Sequence, residues 1–196
     1  MDSTYLSRCN SAMKIRSDTT GLSEVLVLTP TVHSDERGFF FESFNSHDFA
    51  LATGESVQFV QDNHSRSGRG VLRGLHYQVV KPQGKLVRVV HGTIFDVAVD
   101  IRRNSPSFGA WTSVELSAEN HRQMWVPPGF AHGFIVLSEY AEVFYKTTDF
   151  YAPEHERSIK WDDPRIGISW PLSGMVPILS QKDQDAGLLD DLDAWE

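Results

Sequence analysis

The segment Val71-Leu72-Arg73-Gly74-Leu75-His76-Tyr77-Gln78 sets an arginine and a histidine into apolar, strand-like sequence, and Lys85 follows in Gln83-Gly84-Lys85-Leu86-Val87. Taken alone, His76 reads as a satisfied core histidine. Lys85 changes that reading, because a lysine pointing inward from a neighbouring strand is costly to bury without an anionic partner. A neutral imidazole beside such a lysine suits proton abstraction, with the ammonium stabilising the anion that forms. Strict alternation puts Leu72, His76 and Gln78 on one strand face and Arg73 on the other. Arg73 and His76 share a pocket if Gly74 makes a bulge, and belong to different pockets if it does not.

Two further residues could take part. His132 stands in Val126-Pro127-Pro128-Gly129-Phe130-Ala131-His132-Gly133-Phe134, and Pro-Gly-x-x-His also occurs in metal-binding jelly rolls. The surroundings of His76 argue against a metal, since no second histidine lies two residues away and no glutamate follows at ligand spacing within Val71–Val90. The residues alone thus disfavour a metal while leaving it an alternative, and no cofactor is expected. Tyr145 alternates with Val143 and Thr147, so its phenol faces either a cavity or a core in which its hydroxyl is bonded. The chain has no Gly-x-Ser-x-Gly elbow, phosphate loop or dinucleotide fingerprint, which removes support for nucleophilic hydrolysis and for NAD chemistry.

These residues need strands to hold them. From Leu22 to Trp170 the chain runs as short β-branched and aromatic stretches broken by Gly, Pro, Asn and Asp, the signature of a β-sandwich or barrel. Strands are expected at Val25–Leu28, Gly38–Phe44, Val71–Gln78, Lys85–Val90, Thr93–Ile101, Trp111–Ser117, Phe130–Leu137 and Ala141–Phe150. In Thr93–Ile101, Phe95, Val97, Val99 and Ile101 share one face, and Ile94, Asp96, Ala98 and Asp100 the other. Helix is expected at Ser46–Thr53, with Ser46 as N-cap, and in the tail after Asp183.

The 196 residues, 40% hydrophobic and 22% charged, suit one mainly β domain with its own core. Residues 1–15 read as a disordered extension, and 16–196 as a single domain ending in an acidic tail. The net charge of −8 is concentrated in residues 181–196, which carry six acids against one lysine. Residues 61–103 hold eight Lys or Arg against Asp62, Asp96 and Asp100, a block able to attract phosphates. That density is too low for a nucleic-acid domain. No apolar run approaches the roughly 18 residues of a membrane span, and the polar leader lacks a secretory pattern. A lone Cys9 fits a reducing compartment and hence the cytoplasm.

An ordered set of motifs then identifies a family. Asp35-Glu36-Arg37-Gly38-Phe39-Phe40-Phe41-Glu42, Gln61-Asp62-Asn63-His64-Ser65, Val71–Gln78, Gln83–Lys85, Phe95–Arg102, Pro127–Phe134, Tyr145-Lys146 and Leu179-Ser180-Gln181-Lys182-Asp183 resemble the dTDP-4-dehydrorhamnose 3,5-epimerases. The resemblance implies a cupin-type jelly roll with a few short helices, working without metal as a homodimer on a dTDP-sugar. The implied reaction inverts C3 and C5 of dTDP-4-dehydro-6-deoxy-D-glucose on the route to dTDP-L-rhamnose. His76 then matches the base, Asp183 its orienting partner, Lys85 the enolate stabiliser and Tyr145 the acid on the opposite face. Arg37, Glu42, Gln61, Asp62, Asn63, Arg73, His132, Glu156 and Lys182 match substrate-binding positions, and Tyr151 a residue stacking on thymine. Relatives with such a site invert C3 alone or C5 alone, and no residue in this sequence chooses among these outcomes. A metal-dependent cupin enzyme is the more distant alternative.

Overall fold

The computed structural model describes residues 14–191, and its strands follow the β-branched and aromatic runs of the sequence. In chain order they are β1 (Ile15–Thr19), β2 (Leu26–Pro30), β3 (His33–Asp35), β4 (Gly38–Phe40), β5 (Gln61–Gly68), β6 (Leu72–Gln78), β7 (Lys85–His91), β8 (Thr93–Asp100), β9 (Trp111–Ser117), β10 (Gln123–Val126), β11 (Phe130–Val136), β12 (Tyr140–Thr147) and β13 (Glu156–Ser158). Helices α1 (Ser46–Thr53) and α2 (Gln181–Gln184) are short. One sheet has the order β1-β2-β10-β7-β12-β5 and a second the order β13-β6-β11-β8-β9, while β3 and β4 form a separate hairpin. The two large sheets lie face to face as a cupin-like β-sandwich.

Alternation divides each strand between layers. Val87, Val89, Met124, Val126, Ala141 and Val143 of the first sheet meet Ile94, Ala98, Leu116, Phe130, Phe134 and Val136 of the second in the central core. Outside the second sheet, Leu75, Tyr77, Val97, Val99 and Ile101 are covered by Ile159, Ile166 and Leu189 of the C-terminal segment. Outside the first, Leu28, Leu86 and Trp125 pack under Phe49 of α1. The expected split of β8 is therefore observed, with Asp96 and Asp100 buried on the inward face. No helix among the described residues is long and apolar enough to cross a membrane.

Several boundaries differ from those expected. Residues 1–13 of the expected extension lie outside the described residues, whereas Ile15 is buried and opens β1, paired with Pro30. The expected strand Gly38–Phe44 stops at Phe40, because Phe44 turns into the aromatic cluster of α1 and packs against Phe49 and Phe59. The cap of α1 is Asn45 rather than Ser46, since the Asn45 side chain accepts the His47 and Asp48 N–H groups. Beyond Asp183 the tail is not one helix: Gly187 pairs with Ile159 as a bridge, and a single 3-10 turn follows at Leu189–Asp191. Strands β1, β3, β5, β10 and β13 were not expected.

The question left at Gly74 is answered by the pairing of β6 with β11. His132 stands opposite His76 and Phe134 opposite Arg73, so two steps along β11 match three along β6. The extra residue is a bulge, and it returns Arg73 to the face that carries His76. Gly74 permits it with φ of 123°, and a Cβ there would sit 2.5 Å from the Gly133 Cα. Gly74→Ala is expected to destabilise the fold by about 2 kcal/mol or more in urea unfolding. An unchanged midpoint would show that the bulge tolerates a side chain.

Candidate active site

The central core gives way to polar side chains at one end of the sandwich. From the second sheet come His76, Arg73 and His132, neighbours across the β6–β11 pair. From the first come Lys85 on β7, Tyr145 on β12, and Gln61 and Asn63 on β5, with Thr147 opposite Lys85 and Asn63 opposite Tyr145. Two contacts tie the sheets together there. Lys85 Nζ donates to the His76 carbonyl at 3.3 Å, and Arg73 Nε donates to Ser67 Oγ at 2.9 Å. A pocket of about 420 Å³ opens beside them, lined by Arg73, His76, Ile178, Ser180, Lys182 and Asp183 among others.

The histidine is held by a residue far along the chain. His76 Nε2 donates to Asp183 Oδ1 at 2.6 Å, which leaves Nδ1 as the nitrogen able to take a proton. Asp183 is 2% exposed, and its other oxygen accepts the Ser180 hydroxyl at 2.7 Å. Burial pushes the His76 imidazole below its ordinary range, the Asp183 bond opposes this, and Lys182 and Lys85 add to the lowering. The ring is thus neutral at physiological pH. Burial works upward on Asp183, but its bonds to His76 and Ser180 outweigh that and hold the carboxyl below its usual value.

Lys85 and Tyr145 are tuned from the opposite sheet. Lys85 is 9% exposed, and burial brings its ammonium down to about 8 against the pull of Glu156 and Asp96. It is therefore still charged at neutral pH. Burial raises the Tyr145 phenol, with the Arg73 charge opposing, so the hydroxyl keeps its proton. The second sheet thus presents an unprotonated imidazole, and the first, facing it, a cation and a protonated phenol. That arrangement suits proton removal beside a carbonyl and proton return from the opposite side.

The expected binding residues divide into groups. Glu156 lies beside Gln78 on the pocket side of β6, bonded to Lys182 Nζ at 2.7 Å and to the Tyr151 hydroxyl at 2.7 Å. Gln61 Oε1 accepts the Tyr151 N–H at 3.0 Å and Gln61 Nε2 donates to Asn63 at 2.9 Å, fastening the Tyr151 loop to β5. Asp62 does not join them: alternation turns its carboxylate to the outer face, where it pairs with Lys146 at 2.9 Å. Arg37 and Glu42 are also placed elsewhere. Arg37 pairs with Asp35 at the β3–β4 hairpin, and Glu42 with Lys14 at 2.6 Å, because this hairpin belongs to neither large sheet.

Three residues of the site were not anticipated. Asp96 accepts from His132 Nε2 at 2.7 Å, both side chains being buried, and its position on the inward face of β8 was the available signal. Ser67, the partner of Arg73, gave none. Ser180 was legible, since Ser180-Gln181-Lys182-Asp183 has the spacing of a capping box. Among the described residues, no three His, Cys, Asp or Glu side chains gather as a cation site.

A family model described as dTDP-4-dehydrorhamnose 3,5-epimerase matches residues 19–191. The enzyme of that name from Pseudomonas aeruginosa is 60% identical over 174 residues, covering 89% of this chain and 96% of the relative. Its Salmonella typhimurium counterpart is 59% identical over 172 residues, covering 87% and 93%. Among solved structures, a dTDP-6-deoxy-D-glucose-3,5-epimerase from Legionella pneumophila in complex with dTDP-4-keto-L-rhamnose superposes with a TM-score of 0.89 at 52% identity, covering 91% of this chain and 95% of that one.

The geometry makes a direct prediction about the histidine. In an NMR titration, His76 is expected to change charge below the ordinary histidine range, and Asp183→Asn, which removes the carboxylate that raises it, is expected to move it lower still. A higher value in the variant would contradict the electrostatic account.

Proposed function

Because the chain belongs to the dTDP-4-dehydrorhamnose 3,5-epimerase family, an isomerase family, we propose a residue-level route by which it inverts C3 and C5 of dTDP-4-dehydro-6-deoxy-D-glucose. The C4 ketone acidifies the hydrogens on both neighbouring carbons, so one base serves both centres. His76 Nδ1 takes the proton, and Asp183 fixes the tautomer and stabilises the imidazolium. The electron pair moves into an enolate whose oxygen Lys85 neutralises, a contribution of roughly 3–4 kcal/mol in comparable oxyanion sites. Tyr145 returns a proton from the opposite face, since the base alone would restore the original configuration. Imidazolium and phenolate then reset by proton exchange with water before the second centre reacts.

The observation that carries this reading is the 2.6 Å contact of Asp183 with His76 of the second sheet, set against Lys85 and Tyr145 of the first. A sugar ring entering between the sheets meets the base on one side and the acid on the other. The exposed Arg73 guanidinium and Lys182 suit the diphosphate, and the exposed Tyr151 ring suits stacking on thymine. His132, Gln61, Asn63 and Glu156 line the space between.

The chain is also proposed to act as a homodimer. The β3–β4 hairpin leaves Phe39 and Phe40 exposed at 63% and 69%, an apolar tip suited to a second copy. In a dimer the tip would carry Arg37 toward the partner's substrate, which accounts for its distance from its own pocket. Light scattering is expected to give twice the chain mass, and a monomer would overturn this assignment.

The catalytic roles are tested in heavy water with the keto-sugar nucleotide. His76→Ala is expected to reduce proton exchange by about 10²–10⁴-fold. Tyr145→Phe is expected to retain exchange while returning largely uninverted sugar. Normal product formation by His76→Ala would refute the base assignment.

A further inference from the structure

Asp183 does not sit on a large sheet but on a strap between Ile178 and Leu189, and the strap is fastened at both ends. Ile178 exchanges backbone bonds with Gly70 and Leu72, at 2.9 and 3.0 Å. At the far end, Lys160 N–H donates to the Gly187 carbonyl at 2.8 Å, and the Leu189 N–H donates to the buried Asp163 carboxylate at 2.7 Å. These anchors place the strap over β6. They leave the orientation of the Asp183 carboxylate to local contacts.

Ser180 supplies those contacts in both directions. Its oxygen accepts the Asp183 N–H at 3.2 Å, the ordinary role of an N-cap. Its hydroxyl proton goes to Asp183 Oδ2 at 2.7 Å, which turns Oδ1 toward His76 Nε2 at 2.6 Å. In a common capping box the acidic side chain turns back to the cap's own N–H. Here that carboxylate lies between the histidine and the serine hydroxyl.

We propose that Ser180 is a positioning residue for the proton transfer, acting through Asp183: its hydroxyl orients the carboxylate toward His76 and withdraws part of its basicity. This rests on the reading of His76 as the base. Without the hydroxyl, Oδ2 loses its donor, the carboxylate becomes the stronger acceptor for the His76 N–H, and the imidazole holds its proton more tightly. The acid limb of the rate profile then moves to higher pH, because His76 must be neutral to act.

The test compares wild type with Ser180→Ala, Ser180→Gly and Ser180→Thr. Glycine at an N-cap costs only a few tenths of a kcal/mol, so Ser180→Gly keeps the strap folded if alanine does not. Both variants are expected to lower kcat about tenfold with KM little changed, to raise the His76 titration point read by NMR, and to shift the acid limb upward. Ser180→Thr, which restores the hydroxyl, is expected to recover the wild-type titration and rate. An unmoved His76 titration in Ser180→Gly would overturn the proposal, as would a loss confined to KM, which would mark a substrate contact. Failure of wild type to turn over the keto-sugar would instead sink the base assignment, and the titration reads the Ser180 link without turnover.

Discussion

A carboxylate and an imidazole separated by 107 residues in the chain meet at 2.6 Å, and the active end of the sandwich is organised around that contact. Neither partner is stable there alone. A lone buried carboxylate would take up a proton, and a lone imidazole could rotate or change tautomer. Joined, each fixes the other's protonation state: Asp183 is held ionised and His76 presents Nδ1. The strap must lie over β6 for the pair to form, so the contact depends on the C-terminal segment being in place.

The sandwich solves a geometric problem of epimerisation. Inversion requires groups on both sides of a planar enolate, and two facing sheets offer two walls. His76 stands on one wall, and Lys85 and Tyr145 stand on the other. Links across the gap, from Lys85 to the His76 carbonyl and from Arg73 to Ser67, hold the walls in register. The bulge at Gly74 adds Arg73 to the His76 face, so a one-residue irregularity places a guanidinium beside the imidazole.

The parts legible in the sequence were those where packing and chemistry agree. β9 lies at Trp111–Ser117 as expected, and β8 shows its two-faced split, because apolar alternation along these strands reports burial directly. β5 was invisible for the opposite reason. Its inward residues Gln61, Asn63, Ser65 and Ser67 face the polar end of the sandwich, so no apolar period marks it. The same alternation that places Gln61 and Asn63 inward turns Asp62 out to Lys146. The pairing of His76 with Asp183 came from resemblance to a family, since no local pattern joins residues so far apart. Arg37 and Glu42 matched the motif, yet their hairpin stands apart from the pocket of its own chain.

The central claim is that this end of the sandwich holds the sugar ring between base and acid. A crystal structure with the dTDP-sugar bound measures that most directly. The account predicts the C4 oxygen at hydrogen-bond distance from Lys85 Nζ, with the C3 and C5 carbons between His76 Nδ1 on one side and the Tyr145 hydroxyl on the other. A ring seated with both carbons turned away from His76, or with His76 and Tyr145 on the same side, would contradict it.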